Sequence, residues 1–161
     1  MILFSIDPGN RAGSALFTDA TLTRCDIHPN IKTPAGRTAF LAHCRSLPRP
    51  DRVLVELPAI VPSDGFANTA ALWQRRGFLV GIVEVVWEGV EVEDVTVPEW
   101  QKVHRNSAEP TSEQKSLDVV RRYLNGRAVD LHWRGAKGGI VGDAVSAAAM
   151  GVWWHTMKEK R

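Results

Sequence analysis

Hydrophobic positions along this chain follow two rhythms, and the switches between them divide it into elements. Ile2 to Ile6 is a short apolar run ended by Asp7-Pro8-Gly9-Asn10, the pattern of a buried strand that stops at a turn. Ser14 to Phe17 and Thr21 to His28 follow as second and third strands, with Asp19 and Ala20 in the tight turn between them. Three strands so close in sequence predict an antiparallel meander. Thr33-Pro34 then reads as an N-cap and first helical position, and Phe40, Leu41, Cys44 and Leu47 recur at helical spacing until Pro48. Arg52-Val53-Leu54-Val55-Glu56 has the branched, apolar character of a central strand, with Glu56 at its end before Pro58.

Residues 57 to 65 read as loop. The Ala-rich stretch from Phe66 predicts a helix to about residue 87, and the alternating Val90, Val92 and Val95 predict a strand over 91–96. Pro98 to Lys102 opens a short helix with Glu99 at its positive end. After a loop over 106–110, Thr111-x-x-Gln114 forms a capping box for a helix over 112–124, striped by Leu117, Val120 and Leu124 and closed by Asn125-Gly126. Gly138-Gly139 precedes a long apolar helix from Val141 to Met157, with Asp143 in its first turn. No repeat or low-complexity tract interrupts this order, and 161 residues is the length of one average domain, so residues 1–161 are expected to form a single domain.

Composition narrows the class without choosing a partner. A 44% hydrophobic and 24% charged chain is ordinary for a soluble globular protein, and no apolar run approaches the roughly 18 residues that span a bilayer. The N-terminus lacks the basic start and apolar stretch of a secretory signal, and Cys25 and Cys44 form no disulfide framework or Cys-x-x-Cys pair, so a reducing, cytoplasmic location is expected. Twenty basic against 18 acidic residues give a net charge of only +2. That balance hides an asymmetry: residues 51–98 carry 3 basic and 8 acidic side chains, residues 99–161 carry 11 and 7.

The carboxylates are the main chemical signal. Asp7 and Glu56 each end a buried strand, and Asp143 sits in an apolar helix start. An Asp before Pro-Gly commonly just forms a turn, and an Asp in a helix's first turn commonly serves the dipole. Acids in apolar surroundings are nevertheless costly unless paired or bound to metal, so convergence of these three would create a site for a hard cation such as Mg²⁺. Two such ions about 3.5–4 Å apart can activate water and stabilise the leaving oxygen in phosphodiester hydrolysis.

Their order, Asp on the first strand, Glu on the fourth and Asp on the last helix, resembles the ribonuclease H-like nuclease superfamily, in particular the RuvC-like Holliday-junction resolvases of bacterial and phage type. The matching stretches are Ile6-Asp7-Pro8-Gly9 with Gly13 beyond, Val53-Leu54-Val55-Glu56, Val97-Pro98-x-Trp100-Gln101-Lys102 and Gly142-Asp143-Ala144. The resemblance runs from about Ile2 to His155. It implies an α/β fold with a five-stranded mixed sheet flanked by helices, a homodimer, and Mg²⁺-dependent nicking of four-way DNA junctions in recombination and repair, with Mn²⁺ able to substitute. Asp7, Glu56 and Asp143 would then be both catalytic residues and metal ligands. The family's usual fourth ligand stands three residues before the last Asp, where this chain has Ile140.

The same resemblance makes Ile60 and Phe66 candidates for a wedge that disturbs base stacking at the junction, with packing in the core or at a dimer interface as the alternative. Among the basic residues of the C-terminal third, Lys102, Arg105 and Lys137 are the selected contacts to branched DNA. Two other readings stay open: a ribonuclease H-like enzyme acting on RNA or an RNA–DNA hybrid, and a catalytically inactive protein that binds branched DNA. A nucleotide-binding module of the sugar-kinase and actin type would need a second phosphate loop and a second domain, which this length does not hold.

Overall fold

The computed structural model describes residues 1–9, 11–58, 65–125, 130–132 and 142–158, with residues 65, 66 and 130–132 described by backbone alone. Strands β1 (Ile2–Asp7), β2 (Gly13–Thr18) and β3 (Thr21–Ile27) form the expected antiparallel meander. Asp19 and Ala20 both take positive φ, 47° and 60°, which two-residue hairpin turns of the tight kind require. Between Leu16 and Phe17 the register shifts, leaving Thr23 outside the pairing, where its hydroxyl donates to the Leu16 carbonyl at 3.0 Å.

Helix α1 (Pro34–Ser46) starts as its sequence dictates: the Thr33 side chain accepts from the Gly36 N–H at 3.0 Å, and Pro34 takes the first turn. Strand β4 (Arg52–Leu57) then joins β1 in parallel, helix α2 (Gly65–Val86) crosses back, and β5 (Glu91–Thr96) pairs with β4 in parallel. Helix α3 (Val97–Trp100) is opened by Glu99, whose carboxylate accepts from the Thr96 N–H and hydroxyl, and it runs into a 3₁₀ turn over Gln101–Asn106. Helix α4 (Ser112–Leu124) has the boundaries its capping box predicts, with Asn125 left-handed at φ 46°. Helix α5 (Gly142–Trp153) ends earlier than its apolar run, since Trp154–Lys158 widen into a π turn in which the Thr156 hydroxyl donates to the Val152 carbonyl.

The five expected strands are present, and β6 (Asp130–His132) adds a sixth, giving the order β5-β4-β1-β2-β3-β6. Three residues are too few to leave a readable alternation in sequence. The mixed sheet buries two cores. Phe4, Ile6, Val53 and Val55 pack against α1 and α2, whereas Leu3, Ala15, Phe17 and Leu54 pack against α4 and α5.

Helix α5 lies unusually close to the strands because its inner residues are small. Ser5 Oγ donates to the Ala147 carbonyl at 2.7 Å and Cys25 Sγ to that of Ala144 at 3.1 Å. A Cβ on Gly151 would sit 2.1 Å from the Phe17 ring. Both cysteines are free and buried. Among the described residues, no helix is long and apolar enough to cross a membrane.

Candidate active site

The twofold alternation of a strand decides which side chains face α5. On β1, Leu3 and Ser5 point to that side and Phe4 and Ile6 to the other, which places Asp7 toward α5. On β4, Leu54 faces α5 while Val53 and Val55 do not, which places Glu56 there too. Ile6 is paired with Val55, so one step further Asp7 comes level with Glu56 on a strand about 4.8 Å away.

The first turn of α5 completes this corner. Asp143 Oδ2 accepts from the Arg11 N–H at 2.9 Å, while Asp7 Oδ1 accepts from the Gly9 N–H at 2.9 Å. The approach is so close that positions 9 and 13 have no room for a side chain. A Cβ on Gly9 would lie 2.2 Å from the Asp143 carboxyl carbon, and one on Gly13 would lie 2.3 Å from the backbone of Asp143 and Ala144. The two glycines in the Asp7-Pro8-Gly9 stretch and its extension are therefore the space into which α5 fits.

Burial first, and like charges second, raise the proton affinity of all three carboxylates in this corner. Burial is the first cause holding the Asp7 carboxyl well above its ordinary range, with Glu56 and Asp143 adding repulsion. Glu56 is pushed up to about 7 by burial, against the lowering effect of a hydrogen bond from Trp100, with Asp143 adding to the rise. Asp143 is also raised by burial, with the Arg11 N–H and the charge of Arg75 opposing the shift and the charge of Glu113 adding to it. An all-oxygen donor set under mutual repulsion fits a hard divalent cation. Among the described residues no three such side chains are drawn together tightly enough to hold an ion alone.

Two solved structures of Thermus thermophilus RuvC have this architecture. One aligns over 98% of this chain and 96% of its own, with TM-score 0.58 and 17% identity; the other, in complex with Holliday junction substrate, gives the same coverage with TM-score 0.64 and 18% identity. The chain has the RuvC fold. The yeast mitochondrial Holliday junction resolvase is also similar, over 94% of this chain and 78% of its own, with TM-score 0.51 and 10% identity. No protein-family profile and no curated protein matches the sequence, so the likeness is one of backbone.

Within the RuvC fold the neighbours of the carboxylates come from elements that sequence reasoning did not connect to them. Trp100 is buried and donates its indole N–H to Glu56 Oε2 at 2.8 Å. Its ring meets His104 edge-on at 5.2 Å, and His104 Nε2 shares a 3.0 Å hydrogen bond with Ser116 Oγ, which fixes the indole from behind. Arg75 of α2 is 7% exposed and donates from Nε to the Pro8 carbonyl at 3.1 Å, holding the Asp7-Pro8-Gly9 turn. The available signal was a pair of arginines, Arg75-Arg76, in an otherwise apolar helix.

Of the expected DNA contacts, Lys102 and Arg105 lie on described elements. Lys102 lines a cleft with Trp153 and Lys158 at the far end of α5, about 15 Å along that helix from Asp143. Arg105 is exposed on the 3₁₀ turn after α3. Lys137, Ile140 and Ile60 lie outside the described residues, and only the backbone of Phe66, in the first turn of α2, is described.

Proposed function

We propose that this protein is a structure-selective DNA endonuclease that resolves four-way junctions by Mg²⁺-dependent phosphodiester hydrolysis, with Mn²⁺ as a substitute. The observation that carries this reading is the gathering of Asp7, Glu56 and Asp143 at one corner of the RuvC fold. The neighbours of that fold are named for Holliday-junction resolution, one of them in complex with its junction.

Asp7, Glu56 and Asp143 would hold the cation. Bound there, Mg²⁺ supplies an activated water and charge stabilisation at the phosphorus. The chain itself orients the site: Trp100 aims Glu56, the Arg11 N–H aims Asp143, and Arg75 fixes the turn that carries Asp7. Burial keeps the surroundings dry enough for these dipoles and charges to act strongly.

Resolution needs two cuts, and one corner of this kind makes one, so we assign the protein a homodimer. The faces of α2 that the sheet does not cover support this, with Trp73 39% and Val85 74% exposed on a helix rich in apolar residues. The compartment assigned is the cytoplasm, where DNA junctions arise.

A cleavage panel containing four-way junction, flap, linear duplex and RNA–DNA hybrid, each with Mg²⁺, tests the reading. Preferential paired nicking of the junction is expected. Preference for the hybrid would make the protein a ribonuclease H-like enzyme, and tight junction binding without cleavage in Mg²⁺ or Mn²⁺ would make it a binding protein.

A further inference from the structure

On the α1–α2 side of the carboxylates the surface opens into a cleft of about 430 Å³ whose walls include Gly9, Lys32, Asn68, Arg75 and Asp143. Its volume lies within the roughly 300–1,000 Å³ of small-ligand sites. Gly9 and Asp143 belong to both the cleft and the acidic corner, so the two are continuous. The basic residues here come from the N-terminal half, not from the basic C-terminal third.

Lys32 is presented on a pinned turn. Its N–H donates to Asn30 Oδ1 at 3.0 Å, its carbonyl accepts from Arg37 Nη1 at 2.9 Å, and its side chain is exposed. Arg75 lies deeper, 7% exposed and anchored on the Pro8 carbonyl, and its charge reaches Asp143. A rim cation, a buried cation and the amide of Asn68 make an anion's surroundings. The occupant must also extend into a corner lined with carboxylates, which suits a chain carrying repeated phosphates better than a single small anion.

We infer that this cleft seats a backbone phosphate of the DNA strand next to the scissile bond, with Lys32 as the direct contact and Arg75 as the charge behind it. The inference rests on the nuclease reading above. It gives the strand a path over the start of α1 and the side of α2, and it assigns positioning on DNA to residues far from Lys102.

The test measures junction binding by fluorescence anisotropy across a salt series, in EDTA so that the DNA stays intact. Lys32→Ala is expected to weaken binding about fivefold, the upper order for one exposed ion pair, and to lower the salt slope by about 0.9, the share of one phosphate contact. Arg45→Ala removes the same charge from the exposed last turn of α1 and is expected to keep the wild-type slope.

Junctions carrying a single uncharged methylphosphonate at successive linkages around the cut then locate the contact. One linkage should weaken wild type about as much as Lys32→Ala does and leave that variant unaffected. The inference is overturned if wild type binds junctions but Lys32→Ala keeps its slope, if Arg45→Ala loses as much, or if no linkage couples to Lys32. A wild type that does not bind junctions at all overturns the nuclease reading, a result distinct from these.

Discussion

Two buried polar clusters lie on opposite faces of the same sheet, and they are built on opposite electrostatic plans. Toward α5, Asp7, Glu56 and Asp143 all carry the same sign, and burial together with charge repulsion raises the proton affinity of each. Toward α1, Asp26 accepts from Arg24 Nε at 2.6 Å with His43 Nε2 at 3.8 Å, while Ser14 Oγ and His28 Nε2 share a 2.7 Å hydrogen bond. The His28 and His43 rings meet edge-on at 4.6 Å, and burial drives His28 down to about 3, so it stays neutral. Serine, histidine and aspartate together invite a hydrolase reading, but Ser14 is 1% exposed and no substrate reaches it. The histidine cluster sets its carboxylate against an arginine, although His43 Nε2 is buried without a hydrogen-bond partner. The acidic one gathers three carboxylates, which in the proposed function a bound cation offsets, and that difference separates a packing device from a site.

The largest effect expected from this contrast is at Asp7. Asp7→Asn should lower junction cleavage by at least about a thousandfold, or about 4 kcal/mol of barrier. The same change should stabilise the metal-free protein, by about 1 kcal/mol or about 3 °C in midpoint for a chain of this size, because a self-repelling buried charge is removed. Calorimetry in EDTA beside a cleavage assay checks both. A midpoint lowered by the substitution would mean that the carboxylates are satisfied by the protein alone.

The glycines sharpen the contrast by separating stability from function within one turn. Gly13→Ala drives a Cβ into the backbone of Asp143 and Ala144, which cannot yield, so a loss of about 3 kcal/mol in urea unfolding is expected. Gly9→Ala meets only the Asp143 carboxylate, which can swing aside. That variant should stay folded and lose about a hundredfold in cleavage, the order for a reacting group misplaced by about 1 Å. Equal losses of stability in the two variants would contradict this division.

Trp100→Phe is the next test, since it keeps the ring in the core and deletes only the donor to Glu56. Cleavage at subsaturating Mg²⁺ and calorimetric Mg²⁺ affinity should both fall about 10–100-fold, as for other groups that orient a metal ligand. Unchanged Mg²⁺ affinity would leave the indole a packing residue.

What was legible in the sequence followed from how local each signal is. Asp7 and Glu56 are readable because each is a carboxylate at or next to the end of an apolar strand, and α4 is readable to the residue because Thr111, Gln114 and Asn125 mark both of its ends. Arg75 and Lys32 were not, because their role depends on how α1 and α2 pack near the β1–β2 turn, which no spacing within either helix encodes. Lys102 is two residues from Trp100, yet the 3₁₀ turn carries it toward the far end of α5, a placement that its spacing from Trp100 does not encode. The polar role of Trp100 depends on the pairing of β4 with β5, which sets Glu56 beside Val95, a residue distant in sequence.

The finest discrimination between the clusters is in the pH dependence of the metal-free protein, where they pull in opposite directions. Glu56, ordinarily near 4.5 and raised by burial to about 7, binds its proton more tightly when folded. Its contribution to stability is therefore full below about 4.5 and lost as pH rises through about 7. Asp7 and Asp143, also raised, act in the same sense. His28, ordinarily at 6.5 and lowered by burial to about 3, takes up a proton more readily when unfolded. Its contribution is full above 6.5 and lost as pH falls toward 3, with His43 acting likewise. Urea unfolding in EDTA at closely spaced pH values should show the difference between Glu56→Gln and wild type growing by about 1.4 kcal/mol per pH unit between 4.5 and 7, in favour of the variant. For His28→Gln the difference should grow by a similar amount per unit as pH falls from 6.5, again in favour of the variant, because glutamine does not titrate and can still bond Ser14. Difference curves that stay flat for both would show that neither cluster is buried in solution, whereas a flat curve for Glu56→Gln alone would remove the repulsion on which the cation site rests.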